Sequence, residues 1–135
     1  MKMHRQQGVL LIENMIALLI FAFGILGMVG MVATSLKNTA DAKFRNDASF
    51  LANQIVARMW VDDKSNASLK ANYESPNGVR YVEWKETVAS ALPDVAANPP
   101  TIAVDAQNVV TVSVNWKLPG AQAANRYTMS APVNQ

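Results

Sequence analysis

One carboxylate stands near the start of a long apolar run. Glu13 and Asn14 are followed by nineteen residues, from Met15 to Ala33, without a charged or polar side chain. A carboxylate held deep in a bilayer costs up to roughly 2.5 to 3.5 kcal/mol, and less near the interface, where it reaches water. A cation on a neighbouring helix would offset that cost, whereas a Glu without a role would stay at the interface. We therefore predict that Glu13 pairs with a positive group.

The residues before this run supply the second chemical feature. Met1 to Gly8 form a short basic leader, and Gly8 lies five residues before Glu13. If the chain is cut after Gly8, the new ammonium group of Val9 can pair with the carboxylate of a neighbouring helix. An acid near a helix N-terminus also suits the helix dipole.

The apolar run has the length of a membrane-spanning helix. At about 1.5 Å per residue, Met15 to Ala33 approach the roughly 30 Å hydrocarbon thickness of a bilayer. Lys2 and Arg5 precede the run, which predicts a cytoplasmic N-terminus with the rest of the chain sent across. A cleaved secretory signal peptide is the competing interpretation. Its apolar core is usually about 7 to 15 residues, and the best small-residue cut here is Ala33-Thr34-Ser35.

Composition argues against two large classes of function. Of the twelve Lys and Arg residues, two lie in the leader, so ten remain against ten Asp and Glu, and no basic stripe with interleaved aromatics follows. We predict no nucleic-acid binding. The chain has no Cys, and its one histidine, His4, lies in the leader. A cut chain would have only Lys, Tyr and carboxylates to move protons, so we predict neither an enzyme nor a cofactor or metal site.

The N-terminal motif resembles a known family. Gly8, the apolar residues Val9 to Ile12, Glu13 and the following run look like the signal and first helix of type IV pilins and related pseudopilins. The resemblance implies cleavage after Gly8 by the prepilin peptidase, which also methylates the new amino group of Val9. It implies that Glu13 attracts the N-terminus of an adjacent subunit during assembly. Val9 departs from the family pattern, in which Phe is commonest.

Three glycines, Gly24, Gly27 and Gly30, lie within the predicted span. Each costs up to about 1 kcal/mol in a helix interior, so they either soften the helix or let another helix approach closely. We predict packing in a bundle of like helices. Many major pilins have a proline in this region, and here no proline precedes Pro76.

Beyond Lys37 the sequence predicts an amphipathic continuation of the helix through Trp60, with a stop around Val61-Asp62-Asp63. Its apolar stripe, with spacings of three or four, consists of Leu36, Ala40, Phe44, Ala48, Leu51, Ile55 and Met59. Lys64 to Gly78 contains a sequon at Asn66-Ala67-Ser68 and the turn signal Pro76-Asn77-Gly78, and is predicted to be a surface loop.

A second helix and three strands are predicted after this loop. Helical spacing of Tyr81, Trp84, Val88 and Leu92 predicts a helix from about Arg80 to Leu92, stopped by Pro93. Asp94 to Pro100 is a linker. Apolar alternation then predicts an antiparallel sheet that covers the helix stripe. Its strands are Thr101 to Val104, Val110 to Trp116 and Arg126 to Ala131, with a turn at residues 105–108.

This layout resembles the pilus-modification minor pilins of the PilV type, in which a helix ending in Leu-Pro precedes a strand ending in Trp. The match implies a pilin-like α+β fold in four segments. These are a prepilin leader (1–8), a transmembrane and assembly half-helix (9–36), an amphipathic half-helix (37–62) and a small periplasmic head (63–135). It implies a minor pilin of the inner membrane and then of the pilus at the cell surface. Its partners would be the prepilin peptidase, other minor and major pilins and the inner-membrane pilus assembly machinery.

Two alternatives remain open at this point. A type II secretion pseudopilin shares the N-terminal features and differs in the assembly that it joins. A membrane-anchored periplasmic binding domain would never be assembled and would keep Met1.

Overall fold

The computed structural model describes residues 5–134, with side chains from residue 8 onward. In chain order its elements are α1 (Arg5–Val61), α2 (Asn66–Tyr73), α3 (Val79–Ala91), β1 (Thr101–Val104), β2 (Val109–Trp116) and β3 (Asn125–Pro132). The predicted α+β class, a long N-terminal helix with a small antiparallel sheet, is confirmed. The orientation signal predicted for Lys2 lies outside the described residues, as does the side chain of Arg5.

Helix α1 passes from one compact unit, which ends at Ala40, into a second, which begins at Asp41. It ends at Val61, where the sequence predicted the stop. The N–H of Asp62 still donates to the carbonyl of Arg58 at 3.1 Å. The two acids that follow disfavour another turn, because a helix C-terminus already carries a partial negative charge.

The prediction that Lys64 to Gly78 is a surface loop is wrong, because helix α2 occupies its middle. Ser65 caps this helix by accepting from the N–H of Ser68 at 3.3 Å. Leu69 and Tyr73, four residues apart, are both buried, so one face of α2 packs on the core. Tertiary burial outweighs the loop-like composition of this segment. A turn precedes α3 at Ser75 to Asn77, one residue earlier than the predicted Pro76-Asn77-Gly78.

Helix α3 and the three strands of the second unit form where the spacing of apolar residues predicted them. Helix α3 and the three strands lie within two residues of their predicted bounds. The strand order is β1-β2-β3, and both neighbouring pairs are antiparallel. In the turn between β1 and β2, the carboxylate of Asp105 accepts from the N–H groups of Gln107 and Val109 at 2.9 and 2.8 Å. Asn108 closes the turn with a φ of 59°, a conformation that Asn tolerates better than most residues.

The core is formed by α1, α2, α3 and the inner face of the sheet. The stripe predicted on α1 is buried from Ala48 onward, and Ala52 and Val56 widen it. Its first residue does not belong to the core, because Leu36 is 66% exposed, and Phe44 is only partly buried. From α3, the indole N–H of Trp84 donates to the carbonyl of Leu51 at 3.1 Å and fixes α3 on α1.

Tyr73 makes the stability of this core depend on pH. Its ring is 1% exposed, and its hydroxyl donates to the carboxylate of Asp62. Burial first, and then the Asp62 carboxylate, raise the pKa of Tyr73 well above its usual value. The neutral phenol is thus favoured in the folded state. Its contribution is complete below the unfolded pKa of about 10 and is lost as the pH rises above it.

We therefore expect the free energy of unfolding to fall as the pH rises above about 10. Urea titrations of the full chain in detergent would measure it. A Tyr73→Phe variant should show a shallower decline, with part of it kept because burial also raises the pKa of Tyr81. Tyr127→Phe, at a half-buried position, is the matched control. An equally steep decline in Tyr73→Phe would contradict this assignment.

Candidate functional site

The N-terminal part of α1 presents an apolar surface to its surroundings. The large apolar side chains from Val9 to Leu36 are each between 45% and 76% exposed. The hydroxyl of Thr34, at the end of this region, donates back to the carbonyl of Gly30 at 3.1 Å. Such a bond satisfies a polar group without water. By its length and composition, this helix could cross a membrane.

The three residues predicted for processing and assembly all lie on this helix. Gly8, Val9 and Glu13 are exposed, and the Glu13 carboxylate has no hydrogen-bond or ion-pair partner among residues 8–134. Val9 and Glu13 are one turn apart and share a face of the helix. Gly8 precedes them at a point where an added Cβ would meet nothing within 4 Å. The side-chain packing of the chain therefore gives no reason for a glycine here.

Side-chain packing also gives no reason for the three glycines within the apolar span. A Cβ added at Gly24, Gly27 or Gly30 would meet no atom within 4 Å. At about 100° per residue, Gly24 and Gly27 lie within about 40° of Glu13 around the helix, whereas Gly30 lies about 100° away. Glu13 and two glycines thus share a stripe that leaves the backbone accessible. Glycine destabilises the helix by about 1 kcal/mol at each of these positions, and no contact among residues 8–134 requires it.

The second unit offers few converging charged groups. Glu83 accepts from Arg58 at 3.5 Å and lies 3.7 Å from Arg80, and all three side chains are exposed. In the part of the chain that the structure describes, no three His, Cys, Asp or Glu residues are placed to hold a metal ion.

The sequon at Asn66 is engaged in structure. The Asn66 amide donates to the carbonyl of Asp105 at 2.7 Å and to Oδ1 of Asn108 at 2.6 Å. The Asn108 amide donates in turn to the carbonyl of Lys64 at 3.0 Å. Both amide hydrogens of Asn66 are used, so this side chain joins α2 to the β1–β2 turn.

The second unit also contains a cavity that the sequence did not predict. It has a volume of about 410 Å³, within the roughly 300 to 1,000 Å³ typical of ligand pockets. Two of its lining residues each have a polar atom that is shielded from solvent and has no hydrogen-bond partner among residues 8–134: Oδ1 of Asp41 and the indole Nε1 of Trp116. The remaining lining residues are Ala42, Arg45, Asn125 and Arg126. The sequence signal for this cavity was Trp116 at the end of the alternating strand β2. A buried indole N–H needs a hydrogen-bond partner.

Comparison with known proteins gave no match to a family model, a curated protein or a solved structure.

Proposed function

We propose that this chain is a minor pilin, a membrane-anchored structural subunit of a type IV pilus. The observation that carries the proposal is helix α1, which is continuous from Arg5 to Val61. Its first part is apolar and exposed with one carboxylate at Glu13, and its last turns form part of the core of a small α+β head. An anchor that only tethers a domain needs the apolar surface but neither this carboxylate nor the glycines.

The membrane step of the proposal rests on the apolar length and the basic leader. The chain inserts into the inner membrane with its N-terminus in the cytoplasm and its head in the periplasm. The prepilin peptidase then cuts between Gly8 and Val9 and methylates the new amino group. Gly8 assists this cut, because glycine lowers the cost of opening the helix at the peptide bond to be cleaved.

The assembly step rests on the stripe that Glu13 shares with Gly24 and Gly27. Removing helices from lipid into a bundle leaves the Glu13 carboxylate without water, and the ammonium of Val9 from an adjacent subunit neutralises it. The glycines let neighbouring helices approach closely, as small residues do between membrane helices. Other minor and major pilins supply those helices, and the inner-membrane pilus assembly machinery moves the subunit out of the membrane.

Mass spectrometry of the mature N-terminus tests the proposal. We expect a chain that begins at Val9 and carries one methyl group on its amino nitrogen. A chain that begins at Met1 would contradict the proposal and indicate an anchored periplasmic domain. A chain cut after Ala33, Thr34 or Ser35 would indicate a secretory signal peptide. Recovery of the Val9 form in sheared pili, rather than with a secretion system, separates a minor pilin from a pseudopilin.

A further inference from the structure

The turn before α3 contains a chemically labile pair of residues. Asn77 is the one Asn that a Gly follows in the sequence, and it is exposed. The backbone nitrogen of the following residue can attack Cγ of an Asn side chain, and Asn is accordingly among the residues that are least stable to heat. Glycine hinders that attack least, because it has no Cβ and allows the widest range of backbone conformations. Asn77 is therefore the position at which this chain would deamidate fastest.

The attacking nitrogen is not free in the folded chain. Gly78 is buried, and its N–H donates to the carbonyl of Glu74 at 2.9 Å. Its carbonyl accepts from the N–H of Val82 at 3.0 Å, as the first hydrogen bond of α3. The nitrogen must lose its proton and turn toward the Asn77 side chain before it can attack. Either step breaks the hydrogen bond to Glu74.

Ser75 fixes the other end of this turn. Its N–H donates to the carbonyl of Ile102 at 3.0 Å, and its Oγ accepts from the N–H of Ile102 at 3.3 Å. Ser75 thus covers the free edge of β1, whereas the free edge of β3 receives no hydrogen bond from elsewhere in residues 5–134. The turn is attached to the sheet on one side and to α3 on the other, so it opens only when these contacts break.

Packing explains why a glycine stands at position 78. A Cβ there would lie 2.6 Å from the carbonyl oxygen of Asn72 and 2.8 Å from the nitrogen of Tyr73. These are backbone atoms in the last turn of α2, so they cannot move aside as a flexible side chain would. Helices α2 and α3 therefore meet at Gly78 without spare space.

We propose that Asn77 is a site of spontaneous deamidation that the folded chain keeps closed and that opening of residues 74–78 exposes. The reaction needs only water. The Gly78 nitrogen bonds to Cγ of Asn77 and gives up its proton, and the side-chain amide leaves as ammonia. Water then opens the resulting ring at either carbonyl, which yields aspartate or isoaspartate. The inference does not depend on the function proposed above.

The isoaspartate product would record that residues 74–78 had opened. In isoaspartate the chain runs through the former side chain, which adds a methylene group to the backbone ahead of Gly78. The site has no space even for a Cβ, so the longer backbone cannot return to its place beside Asn72. A chain that stays open is thereby marked by a change that it cannot reverse by itself, and folded copies stay unmarked.

Rates of deamidation in the folded and the unfolded chain test the proposal. The full chain is incubated in detergent, with and without guanidinium chloride, in mildly alkaline buffer. Trypsin then releases residues 71–80, which contain both Asn72 and Asn77. Tandem mass spectrometry assigns the mass gain to one of them, and chromatography separates isoaspartate from aspartate. Folding should slow the conversion of Asn77 at least about tenfold. Asn72, which the bulky Tyr73 follows, is the internal control and should stay intact in both samples.

Variants of the chain show whether local opening sets the rate. Leu69→Ala removes a buried side chain of α2 and should speed the conversion of Asn77 in the folded chain at least about tenfold. Phe50→Ala removes a large apolar side chain at an exposed position of α1 and should leave the rate unchanged. Circular dichroism identifies a variant that does not fold, and the comparison of the wild-type chain with and without denaturant does not depend on any variant.

Hydrogen exchange tests the consequence for the fold. A chain with isoaspartate at position 77, returned to buffer without denaturant, should lose the protection of the Val82 amide, which binds the Gly78 carbonyl in the unmodified chain. An Asn77→Asp variant is the matched control. It carries the same charge on a backbone of normal length, so it should keep this protection.

Three results would overturn the proposal. The first is equal conversion of Asn77 with and without denaturant. The second is no more conversion of Asn77 than of Asn72 in the denatured chain. The third is full protection of the Val82 amide in the isoaspartate chain, which would show that the joint between α2 and α3 accepts the longer backbone.

Discussion

A Glu13→Ala variant is expected to be cut at the normal site and then to remain in the membrane. Its share in sheared pili should fall at least about tenfold, because an ammonium left unpaired in a helix bundle costs about 3 to 5 kcal/mol. The structure supports this separation of steps. The Glu13 carboxylate is exposed and has no hydrogen-bond or ion-pair partner among residues 8–134, so its loss should leave the fold unchanged.

Two further substitutions sharpen the Glu13 experiment. Glu13→Gln keeps the size and removes the charge, so it should behave like the alanine variant if charge pairing is the cause. Asn14→Ala, at the adjacent exposed residue, should assemble normally. Immunoblots of the sheared and membrane fractions give the measurement. Normal incorporation of Glu13→Gln would remove the pairing argument while leaving the membrane span untouched.

An ion pair between Val9 and Glu13 of one chain would compete with the same ion pair between two chains. Val9 and Glu13 are one helical turn apart, so the ammonium of a cut chain can also approach the Glu13 carboxylate of the same helix. Carbodiimide coupling of the amine to the carboxylate in assembled filaments distinguishes the cases. A pair between subunits should give a covalent dimer on denaturing gels that is absent from Glu13→Ala, whereas a pair within one subunit should leave only monomers.

The second large effect is expected at Gly8. A Gly8→Ala variant should accumulate as the uncut chain, with the cut fraction reduced at least about tenfold, since one added methyl group in a tight enzyme pocket has that effect. An added Cβ at Gly8 meets nothing within 4 Å of its own chain. A loss of cutting would therefore report the fit of the leader in the peptidase, together with the cost of opening the helix at this bond, and not a clash within the chain.

Gly24→Ala is the matched control for Gly8, because a Cβ there also meets nothing within 4 Å. It should be cut at the wild-type rate. Mobility on denaturing gels and the mass of the intact protein measure the products. A Gly8→Ala chain that still yields the Val9 terminus would contradict the processing step, and a Gly24→Ala chain that stays uncut would show that the assay reports insertion instead.

The helices and strands with a strong periodic pattern could be predicted from the sequence. Val110, Val112 and Val114 alternate with polar residues, and all three are buried as the period of two requires. The segment around Leu69 could not be predicted, because two apolar residues in a short polar stretch do not distinguish a helix from a loop. Its helix depends on a core formed by residues far away in sequence.

The candidate functional residues likewise include some that the sequence could predict and some that it could not. Gly8, Val9 and Glu13 lie close together in sequence, so the resemblance of this short motif to the pilin signal was sufficient for a prediction, which the structure leaves to experiment. The cavity combines Asp41 of α1 with Trp116 of β2, which are far apart in the chain. No local pattern connects an acid on a helix with an indole at the end of a strand, so only the folded chain reveals the pair of unpartnered atoms.

The unequal edges of the sheet also limit how copies of this head can aggregate. Fibrils of the cross-β type grow because each added strand exposes a new edge for the next one. Here Ser75 occupies the edge of β1 at Ile102, so the sheet can be extended from β3 only. Two heads joined through β3 would consume both open edges and stop at a dimer. The fold thereby limits edge-to-edge association of this head to a dimer and protects it against runaway polymerisation.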